Sequence, residues 1–351
     1  MAKVRIAVLF GGATKDHKLS LRSAYCLLKG LSPDKYDVTP IGITRAGRWL
    51  YFPGDYEEIS DGTWEESGDC CSAIISPDPL HAGIITIMAD GTTAFKRVDA
   101  VMSALHGKYG EDGRIQGLLK LSKIPYVECN PETAVYCMDK ALTHVLLSTV
   151  GLDVPKYALL ERSEIDLLDK KIEEIEREIS YPVFVSATSC SSSIGANIAT
   201  NTEEMKKAAK IAFSHHHTVI VEEDLEGRTI ECVVMGSSYN VEISALGEII
   251  KTPSDNPAVA YTAKFIVDPE LTYTQRRSIE QAAKKAFLCL NYKGCCKMSF
   301  RLADNRVMLR RIATIPGYTP ESVLPILMKE SGYSYSDTVN KLISLATDID
   351  I

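Results

Sequence analysis

The sequence predicts an α/β protein whose N-terminal part is a doubly wound parallel sheet. Two observations carry that expectation. A continuous apolar run at residues 4–10 stops at Gly11-Gly12, an amphipathic helix opens at Ser20-Leu21 and runs to about Leu31, and residues 36–43 return as a strand. A second buried strand, residues 98–105, leads through a glycine-rich turn into a helix at 114–122 and a strand at 124–128, closing the first domain near Pro131.

Within this frame each element has its own reason. Gly11-Gly12 lacks the G-x-G-x-x-G spacing of a dinucleotide site, and a tight turn needs nothing more. Gly47-Arg48-Trp49 reads as a hairpin tip, and residues 52–95, rich in Asp, Gly and Ser, read as a variable insertion. One long helix is expected from Pro131 through Met138-Asp139-Lys140 to Val150. Strands at 152–159 and 183–187 flank a charged helix at 164–179. The small-residue stretch between Ala187 and Gly195 is either a surface turn or a lid over phosphates. A strand at 219–221 runs into Glu222-Glu223 and is expected to pair with a strand at 229–235. Residues 252–265 resemble an Ω-type loop, and helices follow at about 273–290, 320–330 and 336–347.

Composition narrows the function. The 351 residues suffice for two or three domains with a large core, and 45% hydrophobic with 24% charged residues is ordinary for a soluble globular protein. A formal charge of −7 argues against a nucleic-acid or polybasic membrane binder. No apolar run reaches the roughly 20 residues that span a bilayer. The short N-terminal run ends at glycines without a small-residue cleavage pattern, so it reads as a buried strand and not a signal peptide. Cysteines such as Cys26, Cys137, Cys232 and Cys289 sit in apolar segments, and the pairs Cys70-Cys71 and Cys295-Cys296 lack zinc spacing, so reduced core thiols in a cytoplasmic protein are expected.

The stretch from Lys297 to Thr319 reads as two strands joined by Ala303-Asp304-Asn305 and closed by Pro316-Gly317. Strict alternation places Lys297, Ser299 and Arg301 on one side, and Leu309, Arg311 and Ala313 together on another. Paired antiparallel, the rows would line a cleft with a cation pair, a hydroxyl and a methyl but no carboxylate. An edge hairpin with a solvated basic face is the plainer alternative.

The order of motifs resembles the D-alanine–D-alanine ligase family. It runs from Phe10-Gly11-Gly12 with Ser20-Leu21, through His106-Gly107 … Gly110-Glu111-Asp112-Gly113 … Gln116-Gly117 and Met138-Asp139-Lys140, to Ile315-Pro316-Gly317-Tyr318-Thr319. The likeness spans nearly the whole chain. Residues 40–45, Pro-Ile-Gly-Ile-Thr-Arg, look most like the D-alanine–D-serine ligases of vancomycin resistance. The resemblance implies a three-domain ATP-grasp architecture. Its expected parts are an N-terminal α/β substrate-side domain (1–131), a central ATP-grasp domain (132–221) and a C-terminal ATP-grasp domain (222–351), with nucleotide between the last two. It also implies a cytoplasmic homodimer of peptidoglycan precursor synthesis that uses ATP and Mg²⁺ to activate one D-amino acid carboxylate as an acyl phosphate for attack by the amine of a second.

Site roles follow from the resemblance residue by residue. Lys140 matches a nucleotide-phosphate lysine, and Glu222 and Leu225 fall in the adenine-contacting segment. Ser192 matches the serine of the phosphate-covering loop, His106 lies near the amino-acid substrate, and Lys264 is the loop lysine. Gly317 and Ser322 match the backbone amide and hydroxyl that hold the oxyanion and the second carboxylate.

Other positions depart from the pattern. Ser299, Arg311 and Ala313 align with the three metal ligands (Asp, Glu, Asn), and Arg311 places a permanent cation where the ion belongs. A phosphate lysine becomes Ser186, a lid glycine becomes Ser191 and a ribose-side glutamate becomes Thr229. The oxyanion arginine becomes Lys297, the amine-orienting glutamate becomes Asp16, and the tyrosine beside Lys264 becomes Phe265. These residues predict that Mg²⁺ is not held and that the chain is a pseudo-ligase binding a D-amino acid or other small anion. Two alternatives stay open. One is an active D-alanine–D-X ligase with relocated ligands, for which Asp304, Asp16 and Glu222 are the nearby acids; the other is a regulatory subunit forming a heterodimer with an active paralogue.

Overall fold

The computed structural model describes residues 2–189, 195–253 and 261–347. The first body holds strands β1 (Val4–Gly11), β2 (Tyr36–Ile43), β3 (Trp49–Tyr51), β4 (Cys71–Ile75), β5 (Gly83–Ile87), β6 (Thr93–Arg97) and β7 (Ala100–Ser103). Helices α1 (His17–Gly30), α2 (Tyr56–Asp61) and α3 (Arg114–Ser122) pack around them. The seven strands form one sheet in the order β6-β5-β4-β3-β2-β1-β7. As the sequence predicts, β1 lies parallel to both β2 and β7.

Residues 52–95, read from the sequence as a variable insertion, are folded into the first sheet. They supply an antiparallel extension of the sheet from β3 to β6. Trp64 is fully buried, with its ring 5.0 Å from Phe10 and 6.2 Å from Phe52. Ala73, Ile75 and Ile84 join Ala7, Leu9 and Ile41 in one core. Many of the Asp, Gly and Ser residues that suggested an insertion, among them Gly54, Ser67, Gly68, Asp69, Asp78, Asp90 and Gly91, fall between these elements. The strand expected at 124–128 is reduced to a single bridge between Val101 and Tyr126, next to Pro125, which has no N–H to donate.

The second body begins with α4 (Pro131–Met138) and α5 (Lys140–Thr149), two helices where one was expected. Asp139 breaks them: its backbone is extended, and its carboxylate accepts from the Leu142 N–H at 3.1 Å, an N-cap that starts a new helix. The Lys140 N–H donates to Thr188 at 3.0 Å, tying the break to the neighbouring sheet. That sheet consists of β8 (Tyr157–Glu161), β9 (Val183–Ala187), β10 (Asn197–Ala199) and β11 (Thr218–Glu223), in the order β10-β9-β11-β8. Helices α6 (Leu168–Glu176) and α7 (Thr202–Phe213) cover it. The strand expected from 152 starts only at Tyr157, after Pro155, while Leu152 and Val154 pack into a core.

The third body is a six-stranded sheet of β12 (Arg228–Gly236), β13 (Val241–Ile243), β14 (Gly247–Pro253), β15 (Tyr261–Val267), β16 (Gly294–Ala303) and β17 (Arg306–Ala313). Helices α8 (Tyr273–Cys289), α9 (Val323–Glu330) and α10 (Tyr335–Thr347) complete it. Contrary to the sequence expectation, β12 does not pair with β11. It pairs with β16, β14 and β13, because the connection at 224–227 carries the chain from one sheet to the next. The described flanks of the expected Ω-type loop are strands, paired from Gly247–Val267 to Pro253–Tyr261, and residues 254–260 lie outside the described residues.

One core unites the first and third bodies: Ile6, Val8 and Phe10 share it with Val233, Leu324, Leu327 and Leu342. The Tyr36 hydroxyl donates to Asn340 at 2.6 Å across the same junction. This shared core fixes the N-terminal loops over one end of the cleft between the second and third bodies. Among the described residues no helix is long and apolar enough to cross a membrane.

Candidate functional site

The cleft is built on the β16–β17 hairpin. Lys297 pairs with Ala313 and Ser299 with Arg311, but Phe300 then pairs with Leu309, so Arg310 is the extra residue of a β-bulge. The bulge corrects the strict alternation expected from the sequence. Leu309 turns into the core with Phe300, and the two consecutive arginines Arg310 and Arg311 both line the cleft. The cavity measures about 300 Å³, with Phe184 and Ser186 of β9, Lys140 of α5 and Glu111 of the N-terminal body among its walls.

Lys140, at the start of α5, is held by Glu222. Its Nζ donates to Glu222 Oε2 at 2.6 Å and stands 4.4 Å from the Phe184 ring centroid. His144, one turn along the helix, reaches the other carboxylate oxygen at 2.8 Å, and Glu222 is fully buried. Burial pushes the Glu222 carboxyl up, but Lys140 and His144 outweigh it and hold its pKa down at about 2. Burial, together with the charges of Arg310 and Arg311, pulls Lys140 down despite Glu222. The short contact and the second donor from His144 favour the ionised pair.

Carboxylates do enter the cleft, contrary to the sequence expectation. Glu231 of β12 is the register partner of Ser299, and Lys297 Nζ donates to its Oε1 at 2.7 Å. Glu231 is 3% exposed, and its Oε2 has no hydrogen-bond partner among the described residues. Glu111 arrives from the N-terminal loop, where it accepts from the Gly107 N–H at 2.8 Å and faces the charge of Arg311. Burial dominates there and raises its pKa to about 7. Asp224 accepts from Arg310 at 2.9 Å and Arg301 at 3.3 Å. Sequence reasoning did not single out Glu231, Asp224 or His144 as site residues. A lone acid in the apolar run Ile230 to Met235 was the available signal for Glu231.

The other sequence-predicted site residues are spread more widely. Asp16 lines a separate depression with Lys108, Arg114, Asp139 and Ser189. His106 is buried, 3.0 Å from Ser23 Oγ, and burial lowers its pKa to about 4, keeping the ring neutral. Gly317 passes so close to Ser322 that a Cβ there would lie 2.4 Å from the hydroxyl, which also contacts Thr319 Oγ1 at 2.9 Å. Lys264 is exposed on β15 opposite Ile250, and Phe265 is half-buried opposite Ile249. Leu225 sits half-buried just after β11, and Ser192 lies outside the described residues.

Residues 5–129 match the family described as D-ala D-ala ligase N-terminus, and residues 146–344 match D-ala D-ala ligase C-terminus. The chain belongs to the D-alanine–D-alanine ligase family. It is 36% identical over 358 residues to a D-alanine–D-alanine ligase of Thermoanaerobacter sp. (strain X514), covering 99% of this chain and 98% of the relative. It is 29% identical to the vancomycin B-type resistance protein VanB of Enterococcus faecalis, covering 99% of this chain and 100% of VanB. The solved structure of the VanG D-Ala:D-Ser ligase from Enterococcus faecalis superposes with a TM-score of 0.90 at 30% identity, covering 98% of this chain and all of that one. The three-sheet α/β architecture is that of the ATP-grasp members of this ligase family.

For this family ATP and Mg²⁺ are the expected cofactors. At the three positions that the resemblance aligns with metal ligands, Ser299, Arg311 and Ala313 carry a hydroxyl, a guanidinium and a methyl, which as a donor set do not fit a hard divalent cation. Among the described residues no group of three or more His, Cys, Asp or Glu side chains could hold a metal.

Proposed function

We propose that this chain is a D-alanine–D-alanine or D-alanine–D-serine ligase-like protein of cytoplasmic peptidoglycan precursor synthesis in which ligation is impaired, a homodimeric pseudo-ligase that retains the scaffold. The observation that carries the reading is the direct pairing of Ser299 with Arg311, beside Lys297 with Ala313. On this reading a guanidinium stands where the family's carboxylate would neutralise a transferring phosphoryl group through a metal. Each role such an ion plays is worth several kcal/mol, and an oxyanion donor is worth about 3 kcal/mol.

These losses are not additive, yet together they put turnover many orders of magnitude below that of a working ligase. The test is ADP release with ATP, Mg²⁺ and D-alanine, alone and with D-serine or D-lactate. Turnover indistinguishable from background is expected, and ligation at an ordinary enzymatic rate would overturn the reading.

One observation favours a second reading, an active ligase with relocated ligands. Glu231 Oε2 has no hydrogen-bond partner among the described residues, and Glu111 shares the cleft. On that reading Glu231→Gln abolishes a measurable rate. Asp304, the acid suggested from sequence, sits five residues along the strand from Ser299, roughly 17 Å away.

A further inference from the structure

We infer that the first body carries a second ligand site, a cavity for a small carboxylate with an apolar body and no amine. The cavity, about 470 Å³, lies off the carboxyl ends of β1, β2 and β7 and shares no lining residue with the cleft on the β16–β17 hairpin. Alternate residues of β1 serve opposite faces of the sheet: Ile6, Val8 and Phe10 pack with α1, while Ala7 and Leu9 pack with α3. The chain leaves β1 through α1 for β2 on one side, and β7, which leads on to α3, flanks β1 on the other. A crevice at such a switch point, off the strand carboxyl ends, is where open α/β sheets take ligands.

The lining is chemically one-sided. Ile43, Trp49, Leu105, Ile115 and Leu118 form an apolar wall, Lys108 and Arg114 are its two cations, and no acid lines it. Both cations stand over the Tyr109 ring, each 5.2 Å from its centroid. Asp112 holds this arrangement. Its carboxylate accepts from the Arg114 guanidinium and, at 2.9 Å, from the Tyr109 N–H, which keeps Tyr109 at a φ of 74°, a left-handed backbone that tyrosine seldom adopts. A guanidinium has five N–H donors, so the contact with Asp112 leaves others for a ligand carboxylate. An apolar wall with two cations suits an anion on a hydrocarbon body, and it gives an α-ammonium no charged partner. Of the residues that the resemblance assigns to the amino-acid substrates, only His106 reaches this cavity; Asp16 lines the neighbouring depression and Lys297 the cleft.

Calorimetric titration of the full chain with 4-phenylbutyrate tests the site, with 4-phenylbutylamine and the zwitterion 2-amino-4-phenylbutyrate as matched controls. The carboxylate is expected to bind with a Kd of about 1 mM or tighter, and both controls at least about tenfold more weakly. Lys108→Gln, at an exposed position that should tolerate the change, is expected to weaken binding about fivefold. Leu118→Phe, which fills part of the cavity, is expected to weaken it about tenfold or more, and the lysine variant decides the matter should this one fail to fold. Excess D-alanine is expected to leave the titration unchanged. Absence of binding overturns the inference, as does equal binding of either control or indifference to either substitution in a folded variant. Displacement by D-alanine overturns it too, because the probe would then sit in an amino-acid site.

Discussion

Ser299 and Arg311 face each other across the β16–β17 hairpin, one residue from a bulge that turns Arg310 in beside them. If that pair is what excludes a metal ion, replacing it should admit one. The triple variant Ser299→Asp, Arg311→Glu, Ala313→Asn places two carboxylates and an amide on neighbouring strand positions with suitable hard oxygens. Mn²⁺ titrated into the natural chain should give the free-ion paramagnetic resonance signal. The triple variant should quench it with an affinity at least about tenfold higher. Equal quenching by the two proteins would mean that other groups hold the ion.

The Lys140–Glu222–His144 cluster predicts an acid-side stability profile. Glu222 is held at about 2, below its ordinary 4.5. A carboxyl lowered on folding stabilises above its unfolded value, and that contribution fades as pH falls from 4.5 towards 2. For so buried a group the shift corresponds to about 3 kcal/mol. Urea unfolding of the natural chain should therefore show a midpoint that drops across this window. Glu222→Gln should start lower at pH 7 and change less. Parallel profiles would show that Glu222 is not depressed.

What could be read from the sequence was local. The β1–α1–β2 unit and helix α8 follow from short-range periodicity and caps, with Thr272 and Gln275 forming a complete capping box at the start of α8. The hairpin ends were legible too, from Asp304-Asn305 between two alternating runs. The bulge at Arg310 was not, because adjacent arginines carry no mark that distinguishes a regular strand from a bulged one. The break at Asp139 was a contest between two rules: apolar periodicity ran straight through, while an aspartate three residues before Leu142 offered a cap that won once Thr188 supplied a partner. Long-range register was out of reach altogether. Glu231 meets Ser299 only because β12 leaves the β11 sheet and pairs with β16, and that choice decides which charges share the cleft.

Glu128 predicts the opposite pH trend. It is 6% exposed, its Oε1 accepts the Ser103 N–H, and its Oε2 has no partner among the described residues. Burial raises its pKa to about 7. A carboxyl raised on folding leaves stability intact below its unfolded value near 4.5 and erodes it as pH climbs through 7. Glu128→Gln keeps the acceptor for Ser103 and removes the charge. It should raise the urea midpoint more at pH 8 than at pH 5, by up to about 3 kcal/mol in unfolding free energy. A variant equally or less stable at pH 8 would show that the carboxylate is stabilised by something other than the Ser103 amide.

Lys297 and Glu231 decide whether the acid beneath Ser299 is a counter-ion or a spare ligand. Glu231 is 3% exposed and Lys297 about one-quarter exposed, with 2.7 Å between Nζ and Oε1. Removing one partner of such a pair leaves a buried charge uncompensated, while replacing both with apolar groups of similar volume is often neutral. Allowing for the partial exposure of the lysine, Lys297→Met should cost about 2–3 kcal/mol of unfolding free energy, and so should Glu231→Leu. The double variant should lie within about 1 kcal/mol of the natural chain, giving a coupling well above additive expectation. A counter-ion role demands that coupling. If Lys297→Met is instead neutral and the singles simply add, Glu231 is free to serve another cation, and the relocated-ligand reading of the cleft gains the acid it needs.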